Sequence, residues 1–505
     1  MMSSLTCHHC RSVNFLPLKP PLKNMQRSDS LVSKILRGHR GLLDSDHVLL
    51  TAEIVDLEQQ LEEIQSCRCA VLKALKFRKS IYAPIRRLPR DILIEIFHFV
   101  CDYWWQYWTH SFSRPLDSLY ISGPLWVLGR VCGVWRDTLH SSPASWARKL
   151  VVQQPFSKYA PEILQTYLEH TGKHPLNVKL VFCIKDDDDG DILSLLVQSC
   201  QRWKNLDITA TKRHMRYLES DSQFSALQTL GMHIFGDYNC FRMCLNAPRL
   251  WSASLHATDG IHQIKLLPGI TQFLGSITCP EDLRFLSQLP NLRRCRPTLV
   301  NLAVKEAPVV TMSHLTHLYA NVDALDVLST PLLDSLAVRL WAQGTLQGPR
   351  SYSPQESLTR FLHRSKCHLE SLYVREEMFT LDTPTRIFAL EACSTISRLT
   401  LELQPKRETF GLVEALTFPS VLPNLHHLVL VVSLPSRDEW TTVLRMVRSR
   451  RDAGMLKLVE IQSVFRVSEL GSYVADDMRA LTRDDFEMRV VRPPRRDHLS
   501  LDHLF

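Results

Sequence analysis

Apolar positions along this chain follow three different rhythms. From Asp46 they step by four and three: Leu50, Ile54, Leu57, Leu61, Ile64, Val71 and Leu75, with Arg68 at the one polar place in the series. This is an a/d seam of about three to four heptads, with Glu53, Glu58, Glu62 and Glu63 outside it. It predicts a helix over 46–80. Such a seam either pairs with a partner helix, as a short coiled coil, or packs on its own chain. Spacing alone leaves both open. The stretch 88–100, "LPRDILIEIFHFV", has a denser rhythm. At 100° per residue, Ile92, Leu93, Ile94, Ile96, Phe97, Phe99 and Val100 cover an arc of roughly 220°, about twice the stripe that a surface helix needs. Pro89 suits a first helical turn and Asp91 favours its dipole. This helix is therefore either buried all round or offers a second side to a partner. The third rhythm starts near residue 200. It is a loose L-x-x-L-x-L repeat: "LQTLGM" (227–232), "LTHLYA" (315–320), "LDSLAV" (333–338), "LESLYV" (369–374), "ISRLTL" (396–401), "LHHLVL" (425–430) and "LVEI" (458–461). Weaker copies are "WKNLDI" (203–208) and "LWSASL" (250–255).

The copies lie roughly 18 to 36 residues apart, a spacing that fits leucine-rich repeats, whose short strands stack because no unit buries its apolar face alone. "LPN" at 289–291 and 422–424 and "TPLL" at 330–333 supply turns into strands. The Asn that follows the strand in regular repeats is missing, so the expectation is an irregular solenoid over 151–475. Between the dense helix and the repeats lies a second helical segment, "PLWVLGRVCGVWRDTLHSSPASW" (124–146), with Leu128, Val131, Cys132, Trp135 and Leu139 on one face. Residues 81–150 thus form a small unit, near the size at which one core is marginal. The tryptophans of "CDYWWQYWTHSFSRPLDSLYIS" (101–122), Trp104, Trp105 and Trp108, read as local core.

Composition changes this picture little. The net charge of +8 is spread along 505 residues with no basic run, which argues against nucleic acid. Fourteen cysteines follow no framework and suit reduced thiols of an intracellular protein. No apolar run approaches the roughly 20 residues of a membrane span. Residues 1–45 are basic, proline-containing and aperiodic, and read as a disordered tail rather than a transit peptide. Residues 476–505, with "VVRPPRRDHLSLDHLF", read as a second tail.

Candidate chemistry is sparse. "CHHC" at 7–10 has half of a zinc spacing, but no second pair follows at finger distance. "KDDDDGD" (185–191) fails as a calcium loop, since Lys185 and Leu196 would fill the first and twelfth ligand places. An acidic turn with Asp191 capping a helix over 192–200 accounts for it. Phosphate-loop, zinc-protease and nucleophile-elbow motifs are all missing. The expectation is a non-enzyme with no cofactor and no metal.

"APIRRLPRDILIEIF" followed by "PLWVLGRVCGVWRDTLHSSPASW" resembles the F-box, specifically the F-box-like proteins of mushroom-forming fungi. Those often carry a heptad helix before the F-box and a degenerate leucine-rich region after it. The specific match covers 83–146. The resemblance implies an α/β chain overall: an N-terminal helix (46–80), a small all-α three-helix F-box (81–150), and an irregular leucine-rich solenoid. It implies a substrate receptor of a cullin-based ubiquitin ligase, whose F-box binds a Skp-family adaptor while the leucine-rich region holds a target protein. On that reading Leu88, Pro89, Ile92, Leu93, Ile96, Val131, Cys132 and Trp135 form the adaptor interface or its immediate support. The length of 101–122 departs from a minimal F-box.

Overall fold

The heptad rhythm produces one long helix. In the computed structural model, α1 (Asp29–Leu36) precedes α2 (Asp44–Ile81), whose 38 residues extend about 57 Å at 1.5 Å per residue. Asp46 closes its N-terminus: the carboxylate accepts from the Leu43 N–H at 3.2 Å and pairs with Arg40 at 3.0 Å. Arg78 and Lys79 in the last turn suit the negative end of the dipole. Asp46 is the one buried residue of α2, and the seam from Ile54 to Leu75 is exposed.

The structure describes residues 4–6, 13–15, 29–108, 117–182, 190–219, 223–235, 243–244, 246–257, 260–299, 307–339, 353–379, 383–403, 411–432, 437–462, 476–477, 480–482 and 486–491. The "CHHC" stretch, residues 185–189 of the acidic stretch, and the side chains of Trp104, Trp105 and Trp108 lie outside them. By contact the chain falls into two units, Met1–Leu93 and Ile94–Phe505, with the division in the first turn of α3 (Arg90–Trp108).

After α3 come α4 (Pro124–Val131), α5 (Gly133–His140) and α6 (Pro143–Ala147). Pro124 and Pro143 each stand in a first turn, where the missing N–H costs nothing. Among the described residues, fourteen of the strands that follow belong to the main sheet: β1 (Leu150–Gln153), β2 (Leu176–Phe182), β3 (Trp203–Thr211), β4 (Thr229–Phe235), β5 (Ser252–Ala257), β6 (Gln272–Ile277) and β7 (Arg294–Leu299). The second half comprises β8 (His317–Asn321), β9 (Ser335–Arg339), β10 (Ser371–Arg375), β11 (Arg398–Leu403), β12 (His427–Val432), β13 (Leu458–Gln462) and β14 (Glu487–Val491). They form one sheet, every neighbouring pair is parallel, and spatial order equals chain order.

That order has a geometric consequence. Crossovers between parallel strands are right-handed almost without exception, so stepping always in one direction puts the connecting helices on one face. Burial alternates in β2, β3, β7, β10 and β11, while β6, β8, β9, β12 and β13 are buried on both sides at their centres. In β11, Leu399, Leu401 and Leu403 are buried, while Arg398, Thr400 and Glu402 face the other way and stay half-exposed. A single apolar core runs from Leu119 and Trp146 through the inward strand residues to Met488, taking Leu164, Leu196, Phe361 and Trp440 from the helices.

The fold differs from the expected one. The α/β character holds, but a small all-α three-helix unit followed by an irregular solenoid does not describe the chain. A continuous 14-stranded parallel sheet with helices on it occupies 150–491. Residues 94–147 supply four helical pieces rather than an independent three-helix core, because Trp126 and Trp146 pack on a ring from beyond residue 150. Trp126, Trp146 and Tyr167 of α7 (Ala160–His170) stack mutually at 5.2–6.2 Å. The ends shift as well. Glu487–Val491, expected within a tail, is a strand that pairs with β13, while Asp29–Leu36 within the other expected tail is helical. The helix after the acidic stretch spans Gly190–Val197, with Asp191 in its first turn.

Candidate functional site

The over-apolar helix α3 resolves into two stripes. Phe97 and Cys101 point inward and are buried. Phe97 packs on Trp135 of α5 at 4.9 Å between ring centroids. Burial pushes the Cys101 thiol up to about 12, so it behaves as a small apolar group. Ile96, Phe99, Val100 and Tyr103 form a second stripe, centred about 110° around the helix axis. Phe99 is 71% exposed and Tyr103 52%, their rings 6.5 Å apart. Polar contacts hold the third side: His98 bonds to the Ser145 hydroxyl at 2.9 Å and Asp102 pairs with Arg148 at 2.8 Å. Burial first, and then Arg148, hold the His98 imidazole below its ordinary value.

Helices α4 and α5 repeat this division. Leu128 and Leu139 are buried, whereas Val127, Val131 and Val134 are exposed, Val131 at 54%. The Arg136 side chain of α5 donates to the Gly129 carbonyl of α4 at 3.1 Å, and the Trp126 indole donates to the Ser118 carbonyl at 2.8 Å. The first bond ties α5 to α4, and the second ties α4 to the segment before it. Asp117 begins the segment. Burial pushes its carboxyl up to about 7, against the Leu119 N–H that it accepts at 2.9 Å.

Of the eight residues expected at the adaptor interface, Ile96, Val131, Cys132 and Trp135 fall in the second unit. Val131 is exposed, and the other three are half-buried. In the first unit Pro89 and Ile92 are exposed, Leu88 is half-buried and Leu93 is 1% exposed. Leu88 follows the short 3-10 turn Pro84–Arg87, and Ile92 and Leu93 stand in the first turn of α3. Phe99, Val127 and Val134 are equally outward, although the motif does not single them out. The i,i+4 spacing of Val127 and Val131 on α4 was the available signal.

The helix-free face of the sheet is the second surface. At its N-terminal end, small polar side chains form a ladder across three strands: Asn205 donates to Asn177 at 2.6 Å and Thr229 to Asn205 at 2.8 Å. Towards the middle the chemistry changes. Arg296 lies over the Tyr319 ring at 4.4 Å and Arg339 over the same ring at 5.6 Å. The Tyr373 hydroxyl donates to Glu402, which also pairs with Arg375 at 3.4 Å. Burial and the Glu402 charge together raise the Tyr373 phenol. This face is rich in arginine and aromatic groups, the side chains that dominate protein–protein contacts.

Among the described residues, one cluster has metal-type donors: His262, Cys279 and Asp282. Its geometry is that of a helix cap. Asp282, fully buried, accepts at Oδ1 from the His262 N–H at 2.9 Å and at Oδ2 from the N–H groups of Thr278 and Cys279 at 2.9 and 3.3 Å, closing the helix Pro280–Ser287. Burial pushes the Asp282 carboxyl up, but these donors and the His262 ring outweigh it and hold it low. His262 Nδ1 is the atom nearest to both Asp282 (2.7 Å) and Cys279 (3.4 Å), so no relay through two ring nitrogens forms. Burial also holds the Cys279 thiol up at about 11, far from a thiolate nucleophile. Gly260, at φ +98°, is required here, since a Cβ would lie 2.7 Å from His262 Nδ1.

No known protein family and no curated protein matches the chain. Among solved structures, the crystal structure of a Bacteroides fragilis protein, a structural-genomics target, aligns over 67% of this chain and 73% of its own, with 10% identity and a TM-score of 0.26. A likeness at that level carries no argument about fold or function.

Proposed function

We propose that this protein is a non-catalytic substrate receptor of a cullin-based ubiquitin ligase. The outward apolar stripes of α3, α4 and α5 dock a Skp-family adaptor, and the helix-free face of the sheet holds the target protein. The reading rests on one observation above all. The segment that resembles the F-box carries an apolar stripe, Ile96–Phe99–Val100–Tyr103, beyond the one it uses for its own core. Isolated exposed apolar residues are ordinary, but a full helical stripe, with Val127, Val131 and Val134 also exposed on α4 and α5, marks an interaction surface. The test is co-purification of the full chain with a Skp-family adaptor. Wild-type protein captures the adaptor, and Leu88→Ala/Pro89→Ala or Ile96→Asp/Val131→Asp loses it while the thermal transition of the sheet stays in place. If wild-type protein captures none, the ligase reading falls. The second reading then stands, an interaction scaffold that no longer recruits a ligase; the length of 101–122 favours it.

A further inference from the structure

We propose that α2 is a self-association element that pairs antiparallel with α2 of a second copy of this chain, about a two-fold axis between Glu62 and Glu63. The inference is independent of the adaptor reading. It begins from exposure: a helix of 38 residues buries none of its apolar side chains, and Leu61, at the centre of the seam, is 56% exposed. A seam of strict four–three spacing is shaped for another seam rather than for a flat surface.

What covers it is decided by register and charge. With Leu50 in a d position, Ile54, Leu61, Arg68 and Leu75 take a positions and Leu57, Ile64 and Val71 take d. In an antiparallel pair the heptad is read backwards on the partner, so each a place meets a d place. Setting Leu50 against Leu75 brings Ile54 to Val71, Leu57 to Arg68 and Leu61 to Ile64. The whole seam is matched with nothing left over.

Charge is segregated along the helix. Its acidic residues all fall between Asp44 and Glu63, and its basic residues all between Arg68 and Lys79. A parallel in-register pair would lay acid on acid and base on base, set Glu53 beside Glu58, and stack Arg68 on Arg68 inside the seam. The antiparallel register does the reverse. It places Asp44 beside Lys79 at each end and brings Arg68 within reach of Glu58. Glu62 and Glu63 flank the axis but occupy b and c places, on the solvent side. The surface is thus complementary to itself, which is the requirement for a closed two-fold dimer. A single charged residue inside such a seam specifies register and orientation at a cost in stability, and Arg68 has that role here.

Sedimentation of the full chain at about 0.1 M salt, where the screening length is about 10 Å, reads the mass directly. The expected species is twice the 58.2 kDa chain. Two charge variants test the orientation: Asp44→Lys with Glu58→Lys, and Arg68→Glu with Lys79→Glu. Each alone associates at least about tenfold more weakly than wild type, and an equimolar mixture of the two recovers wild-type strength. Recovery also shows that both variants fold. A monomeric wild type overturns the proposal. So do variants that associate as tightly as wild type (parallel pairing predicts tightening, through Glu53 beside Lys at 58), or a mixture that fails to recover.

Discussion

Helices α2 and α3 both carry more apolar surface than a lone amphipathic helix, and the structure spends that surface differently. In α2 the four–three seam is exposed from Ile54 to Leu75, and Val48, Leu49, Val55, Leu72 and Phe77 are exposed outside it. In α3 they cover a broad arc, of which Phe97 and Cys101 are buried and Phe99 and Tyr103 are not. The difference lies in spacing. A four–three alternation keeps one line of side chains in register with a second helix, whereas the run "ILIEIFHFV" spreads apolar groups over two adjacent stripes. A narrow seam calls for one partner of its own kind. A broad arc serves the protein's own core and still leaves a face over.

Substitutions on the two stripes of α3 should separate sharply. Phe97→Ala leaves a cavity against Trp135 and should cost about 3–5 kcal/mol, seen as a lower denaturant midpoint for the sheet unit. If it costs no more than a surface change, the assignment of inward and outward stripes is wrong. Asp117→Asn probes burial in the segment ahead of α4 by charge. The folded carboxyl is raised above its unfolded value, so the wild-type protein carries a penalty at neutral pH that disappears as pH falls below about 4. The variant keeps the acceptor for Leu119 and should be more stable by about 2–4 kcal/mol at pH 8, with the gap closing by pH 4. An unchanged gap across that range would show that the carboxyl is not desolvated.

With Asp117 removed, buried histidines contribute a response of the opposite sign. Burial holds His98, His170 and His256 below their ordinary value, so the folded state binds fewer protons than the unfolded chain. Stability is full above about pH 6.5 and falls as pH drops through that value, which a pH series of thermal melts on Asp117→Asn would show as a decline towards pH 5. The smallest effect on stability is expected on the outward stripe. Phe99→Ser should change the melting free energy by less than about 0.5 kcal/mol while reducing adaptor capture. A large loss of stability there would mean that the outward stripe is already covered.

Legibility in the sequence followed the same division between local and distant causes. The helix expected over 46–80 spans Asp44–Ile81, because the heptad spacing is local. Nine strands of the sheet coincide with an L-x-x-L-x-L copy. The other five escaped for identifiable reasons. "LVVQ" in β1 is too short to show a repeat, and β2 and β6 lack the paired leucines. β7 contains Pro297, which ordinarily argues against a central strand, and β14 adjoins "RPPRR". The separate helical unit is not legible as part of a larger core because Trp146 has the local partner Trp126, while Tyr167 and His170, which also pack on it, lie beyond the apparent boundary. The cap formed by His262, Cys279 and Asp282 left no trace in the sequence, since His262 and Cys279 are brought together only by the pairing of strands on either side.

The unbroken agreement between chain order and spatial order bears on how the protein is made. Each strand needs as its partner only the one synthesised just before it, so no segment waits for a distant one to appear. A chain leaving the ribosome can therefore add strands to a growing edge in the order of translation, each step closing only the loop back to the strand before it. The exposed edge during synthesis is always the newest strand, and the next covers it.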